Sequence, residues 1–314
     1  MKNIFINLKR FEVARSLGGL CDVDSPEKWI TGLMGECIKL GLGTVADTQL
    51  SFLLPEALII PAVNILKKFP MEETIAISIG CQGVHREDIK IGGNFGAFTT
   101  TLPATAAKAI GCEWAMIGHS EERRNMQSIM EAGLHKSKDS YADIVSDTVN
   151  QLMNKEVLCA LNTGLKVLYC VGETAEEKGN GSFEEQMPQI KAVLKKQLEI
   201  GLTGAGCELN NNNVVIGYEP IWAIGPGKTP PDKEYIAYVS RLIKDTVKEL
   251  YGFEIPVVYG GGLKEENAAM IASIDTIDGG LVALTRFSGQ IGFYMEDLKK
   301  IIEKYIQVNE KKGG

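Results

Sequence analysis

The first residue with a chemical claim is Glu219. The run Val214-Val215-Ile216-Gly217-Tyr218-Glu219 is uncharged and rich in β-branched side chains until it ends on that carboxylate, the pattern of a buried strand whose last residue reaches the rim of a sheet. The segment that follows, Pro220-Ile221-Trp222-Ala223-Ile224-Gly225-Pro226-Gly227-Lys228-Thr229-Pro230-Pro231, has proline at both ends and glycine at its tip. Proline stiffens the ends, and Gly225 and Gly227 allow the tip to come close to a ligand. A base at the hinge of such a lid can remove a proton in a site closed to water. A lone Glu-Pro is more often a strand end running into a surface loop, so the company Glu219 keeps decides between the two. Two further segments end short apolar runs on polar groups. Trp114-Ala115-Met116-Ile117-Gly118-His119-Ser120-Glu121 carries a histidine, and Ile4-Phe5-Ile6-Asn7-Leu8-Lys9 carries an asparagine and a lysine two residues apart. Period-two strand geometry puts Asn7 and Lys9 on one side.

These residues need a scaffold that brings distant strand ends together. Apolar runs at 4–8, 43–46, 75–79, 114–117, 166–171, 214–218, 257–259 and 280–283 read as strands. Helical stretches at 26–40, 55–68, 103–110, 141–161, 184–200, 232–251, 265–272 and 296–307 alternate with them, several opening on proline or an acidic first turn. Eight strand–helix alternations, parallel and joined by right-handed crossovers, predict a closed (β/α)8 barrel. No linker-like stretch divides the 314 residues, so the expectation is one domain spanning 1–314. The 45% hydrophobic content suffices for a large core. A net charge of −7 without long like-charge runs argues against a nucleic-acid partner. Seven scattered cysteines with no CxxC pair read as reduced thiols. With no signal-peptide pattern and no bilayer-length apolar run, the expected address is the cytoplasm, with no membrane partner.

Taken together, the lid run, the His-Ser-Glu segment, the Asn-x-Lys strand, Tyr259-Gly260-Gly261-Gly262 and Asp278-Gly279-Gly280-Leu281-Val282 resemble the triosephosphate isomerase family, in the right order over residues 4 to about 285. The resemblance implies a TIM barrel that isomerises a small phosphorylated ketose or aldose without cofactor or metal. By that resemblance Glu219 is the base, His119 the electrophile that polarises the carbonyl, and Lys9 the positive charge on the developing enediolate. The family is the standard case of a glutamate base paired with a neutral histidine at a helix N-terminus, and Ser120-Glu121-Glu122-Arg123 could provide that helix start. Asn7 would orient substrate and Lys9, and Glu121 would anchor them. Main-chain N–H groups at Gly225, Gly262, Ala283 and Leu284 would grip the phosphate. Apart from the resemblance, a histidine next to a strand is more often structural, and a strand-end lysine or a helix-start glutamate is ordinary. His85 and His135 lie in loop-like insertions, and Cys170 reads as packing.

Departures from the family pattern cluster around substrate and assembly. The family usually has two glycines where this chain has Ala283-Leu284, a serine where it has Gly262, and a residue with an N–H where it has Pro226. Arg286 could compensate as a bidentate phosphate ligand. Extra residues at 10–24, 83–96 and 124–140 lengthen connections on the expected active face, and 201–213 does so on the opposite face. After strand three the family presents Thr-Gly-Glu to a partner subunit, whose arginine follows His-Ser-Glu; here these positions read Thr99-Thr100-Thr101 and Glu122. Losing both members of an ion pair together strands neither charge. The expectation is therefore a homodimer with an altered interface. The substrate readings are dihydroxyacetone phosphate and D-glyceraldehyde 3-phosphate, with a related sugar phosphate such as erythrulose phosphate as the alternative. A non-catalytic sugar-phosphate-binding barrel is a third.

Overall fold

In the computed structural model, which describes residues 1–133, 141–225 and 227–313, eight strands close into a barrel in chain order. They are β1 (Lys2–Asn7), β2 (Thr48–Leu54), β3 (Ile77–Cys81), β4 (Trp114–Ile117), β5 (Lys166–Val171), β6 (Val214–Tyr218), β7 (Val257–Tyr259) and β8 (Gly279–Val282). Every neighbouring pair is parallel, and β8 returns to β1 with Phe5 opposite Leu281. All strand C-termini therefore share one rim, where barrel enzymes build their sites. The (β/α)8 fold expected from the alternation is the fold observed.

Helices cover the outside: α1 (Pro26–Lys39), α2 (Glu56–Leu66), α3 (Met71–Thr74), α4 (Ala104–Ala109), α5 (Ser120–Gly133), α6 (Ala142–Asn162), α7 (Ala175–Lys178), α8 (Phe183–Gly201), α9 (Lys233–Tyr251), α10 (Ala268–Ala272) and α11 (Met295–Gly313). Their starts follow local chemistry. Ser25 accepts the Lys28 N–H with Pro26 at the first helical position, and Asp232 accepts the Tyr235 N–H. Thr174–Glu177 and Ser182–Glu185 form reciprocal capping boxes for α7 and α8.

Alternation along the strands makes two cores. Phe5, Leu53, Trp114, Met116, Leu168, Cys170, Val215, Val258 and Leu281 fill the barrel, with Phe5 edge-on to Trp114 at 4.9 Å between ring centroids. The opposite faces, such as Ile4, Ile6, Phe52 and Ile216, pack against the helices. This plug of side chains is a floor beneath the C-terminal rim. No helix among the described residues is long and apolar enough to cross a membrane.

The expected second strand at 43–46 is a correction. Leu42–Thr44 is a short 3-10 turn after Gly41, whose φ is +77°, and the strand is Thr48–Leu54. Thr48, Gln49 and Ser51 break the apolar run that marks a buried strand. Inside the barrel, however, Ser51 is satisfied by Ser78 at 2.8 Å, so the polar atom costs little there. Strand three likewise begins at Ile77 and runs on to Cys81. The insertion expected at 124–140 is helical through Gly133 as part of α5; His135 and the rest of it, 134–140, lie outside the described residues, as does Pro226.

Candidate active site

Glu219 follows β6 directly, and its backbone N–H donates to Val171 O at 2.8 Å. The residue is 2% exposed, because the chain runs close on both sides: a Cβ on Gly172 would lie 1.7 Å from Glu219 O, and one on Gly260 would lie 2.8 Å from its Cγ. Its carboxylate is fully engaged. Oε2 accepts the Ser120 N–H at 2.9 Å, and Oε1 accepts the Ser120 hydroxyl at 3.1 Å. His119 Nε2 stands 3.3 Å from Oε1. The Cys170 thiol packs beneath, fully buried, and burial beside the Glu219 charge pushes it well above the usual thiol range. It stays protonated and fills space, as expected.

His119 sits on the turn between β4 and α5. Its Nδ1 accepts the Glu121 N–H at 3.3 Å, which assigns the ring proton to Nε2. The donor N–H thus faces the barrel mouth and Glu219. Across the mouth, Lys9 Nζ meets Glu121 Oε1 at 2.7 Å. Against the upward push of desolvation, the bond from Lys9 and the cations around it hold the Glu121 carboxyl below the usual range. Both side chains are partly solvated, so the pair orients more than it stabilises. Lys9 itself has φ +43°, a conformation that costs a non-glycine residue energy and is retained where function needs it. Asn7 Oδ1 holds that bend by accepting the Lys9 N–H at 3.0 Å.

Lys9, Asn7, Glu121, His119 and Glu219 therefore form one contact chain across three strand ends. Two members were missed from sequence. Gln82 donates through Nε2 to Asn7 Oδ1 (3.1 Å), Lys9 O (3.0 Å) and Leu53 O (3.3 Å). Extending the third strand to Cys81 puts Gln82 next to the rim, and that extension was the available signal. Ser120 lay inside the quoted motif without a role. At the lid hinge, buried Glu173 gathers the hydroxyls of Tyr218 (2.9 Å) and Tyr235 (2.7 Å) and the Trp222 indole N–H (2.8 Å) on one oxygen, Oε1. Desolvation raises its carboxyl despite those three donors.

The expected phosphate residues lie on three successive connections. Gly225 is exposed on the lid with φ +124°. Gly262, half-buried after β7, has φ +93°, and its carbonyl accepts the Asn267 amide at 3.0 Å. Ala283 and Leu284 are half-buried at the end of β8. Beyond them the chain makes a small hairpin, with the Thr285 and Arg286 N–H groups both donating to Gly292 O (3.2 and 3.1 Å). Arg286 does not compensate as a phosphate ligand. Its guanidinium holds Asp297 through Nε at 2.9 Å and Nη2 at 2.7 Å and lies over the Tyr294 ring. The insertion after β1 props the same hairpin, since Arg15 reaches Ile291 O at 3.0 Å and Tyr294 Oη at 3.3 Å. Among the described residues, no group of three or more His, Cys, Asp or Glu could hold a metal ion.

A closed parallel barrel with a buried glutamate, an Nε2-protonated histidine and a lysine at its C-terminal rim has the architecture of an enzyme of the (β/α)8 class. Residues 45–303 match the family model described as triosephosphate isomerase. The chain is 35% identical over 214 residues to triosephosphate isomerase of Chlorobium luteolum, covering 67% of this chain and 71% of that one. It is 37% identical over 205 residues to that of Chlorobium phaeovibrioides, covering 64% and 67%. In fold it is similar to the crystal structure of triosephosphate isomerase from Bartonella henselae, with a TM-score of 0.66 at 23% identity over 97% of this chain and 99% of that one. The chain belongs to the triosephosphate isomerase family.

Proposed function

We infer that this protein interconverts dihydroxyacetone phosphate and D-glyceraldehyde 3-phosphate through an enediolate, with Glu219 as base, His119 as electrophile and Lys9 as the charge on the intermediate. The observation that carries this reading is the contact of Glu219 with both His119 and Ser120 at the barrel mouth. Glu219 takes a proton from the hydroxymethyl carbon of the ketose, while His119 Nε2–H donates to the carbonyl oxygen. The proton then returns to the adjacent carbon and the aldose forms. Lys9, aimed by Glu121 and Asn7, balances the negative charge that builds on the oxygens. A carboxylate held at both oxygens by Ser120 is parked, and in this reading Glu219 leaves Ser120 as the lid closes on the hinge around Glu173. Main-chain N–H groups at Gly225, Gly262, Ala283 and Leu284 would hold the phosphate.

Isomerisation in D2O tests the mechanism. Proton transfer through a base places solvent deuterium on the carbon that receives the proton, read by NMR of the product. Because the proton held on the base exchanges with solvent in competition with its return, a measurable share of product should carry deuterium in the wild type; label-free product together with full activity in Glu219→Gln would contradict it. Leu284 and the hairpin that follows it favour the second reading, a longer ketose phosphate such as erythrulose phosphate, because both alter the end of the pocket where the phosphate would sit.

We also propose that the 1–314 chain acts as one domain and as a homodimer. In support, β1 and β8 pair with each other, and the long connection after β3 presents Ile91 and Phe95 almost fully to solvent. Two large apolar side chains left in solvent on one connection would suit a partner's surface. The free thiols of all seven cysteines accord with a cytoplasmic address. Sedimentation should show a dimer, and a fully active monomer would refute the assembly.

A further inference from the structure

The turn that presents His119 is held by two successive residues of α5. Glu122 Oε2 accepts the Gly118 N–H at 2.7 Å, and Arg123 Nε donates to Gly118 O at 2.8 Å. Gly118 has φ +77°, and a Cβ there would lie 2.9 Å from Cys170 O. Gly118, just ahead of His119, is thus held at both its N–H and its C=O and pressed against β5. Arg123 is itself fixed by Cys170 O (3.0 Å), Asn150 Oδ1 (2.7 Å) and the Tyr169 hydroxyl (3.0 Å).

The other half of the clamp ends on an unusual partner. The Glu122 carboxyl neighbours that of Glu156 on α6, which is 2% exposed. Among the described residues no donor faces Glu156 Oε2, an oxygen whose burial would cost less if it carried a proton. Two enclosed carboxylates cannot both ionise. Desolvation first, and then the Glu122 charge, push Glu156 up to about 10; desolvation also raises Glu122. The cations facing the pair are Arg123 from α5 and Arg86 from the connection after β3; the His119 ring on the turn also faces it, and Cys170 and Tyr169 of β5 stay protonated beside it.

We propose that Glu122 and Glu156 share one proton as a carboxyl pair that fixes the Gly118 turn, making Glu122 a positioning residue for His119. Protonated Glu156 donates to Glu122, and Glu122 is thereby neutralised enough to stay turned inward on the Gly118 N–H. Loss of the shared proton leaves two adjacent anions, Glu156 buried and Glu122 half-buried, expels Glu122 and releases the turn. The inference rests on the reading of His119 as electrophile for its kinetic consequence, but not for its structural one.

Glu156→Gln keeps a donor to Glu122 that cannot ionise. Because the folded-state value is raised, the stability contributed by Glu156 is fully present below its ordinary value near 4.5 and drains away as pH rises toward about 10. The variant should therefore gain thermal stability over the wild type, and the gap in Tm should widen from pH 6 to pH 9. With D-glyceraldehyde 3-phosphate, kcat of the wild type should fall as pH approaches 10 while KM holds. That alkaline limb should vanish in Glu156→Gln, with kcat at pH 7 within about twofold of the wild type. Glu156→Ala, which removes the donor, should lower kcat roughly tenfold at pH 7. The Gly118 amide proton should resonate far downfield and shift with the same titration in the wild type only. An unchanged alkaline limb together with a pH-independent Tm gap in Glu156→Gln would overturn the proposal. Absence of any isomerase activity, with the widening Tm gap and the Gly118 shift intact, would instead remove the proposed function and leave the carboxyl pair standing.

Discussion

The two halves of the barrel mouth are built on different principles. Around β1, β4 and β6, side chains are fixed by other side chains and by strand-end backbone: Glu219 by Ser120, His119 by Glu121, and Lys9 by Asn7, Gln82 and Glu121. Around β7 and β8, the expected phosphate positions are set by loop backbone. A hairpin follows β8, propped by Arg15 from the β1 insertion and by the Arg286–Asp297 pair. Interlocked side chains tolerate little change, because moving one member misplaces the next. Main-chain anion sites ask only for free N–H groups, so the side chains around them can vary. On the proposed reading, proton transfer rests on the interlocked half, and selectivity among substrates on the phosphate end.

The comparison can be broken first at its rigid half. Replacing the base by Glu219→Gln should lower kcat by about 10³-fold, within the range a positioned general base supplies, while glycerol 3-phosphate still binds by calorimetry. Turnover equal to the wild type would remove Glu219 from the mechanism. Lys9→Ala should cost roughly 10²-fold in kcat/KM, as loss of an electrostatic stabiliser does, with the barrel's circular dichroism unchanged. In the other half, Leu284→Gly should lower KM for the triose by about tenfold at most, the scale of relieving a few methylenes of steric conflict. A KM that rises would mean that Leu284 packs productively against the substrate. The smallest effect belongs to Arg286→Ala. A half-exposed ion pair with a stacked ring contributes about 1 kcal/mol to stability, seen as a few degrees in Tm. KM for phosphate substrates should not change, since the guanidinium is committed to Asp297.

What the sequence revealed follows the same division. Glu219, His119 and Lys9 were legible because each ends an apolar run at a strand C-terminus, and a strand end fixes position almost by itself. Strands four to seven were placed to the residue for that reason. Strand two was misplaced because Ser51 is polar yet buried, matched by Ser78 from another strand that no local pattern reveals. Gln82 and Glu173 escaped notice because their importance lies in contacts with residues far away in sequence. Arg286 was misread as a phosphate ligand for the converse reason: its charge is visible in sequence, but its partner Asp297 is set by the hairpin. The carboxyl pair of Glu122 and Glu156 is of the same kind, two helix residues that look solvated until α5 and α6 pack together.

Steady-state isomerisation by the purified protein tests the central claim most directly, comparing D-glyceraldehyde 3-phosphate with D- and L-erythrulose phosphates under one set of conditions. A high kcat/KM confined to the triose is the predicted result, showing that the phosphate end grips a three-carbon substrate. Weak triose turnover beside strong tetrulose turnover would contradict it and make Leu284 and the β8 hairpin the determinants of a different substrate.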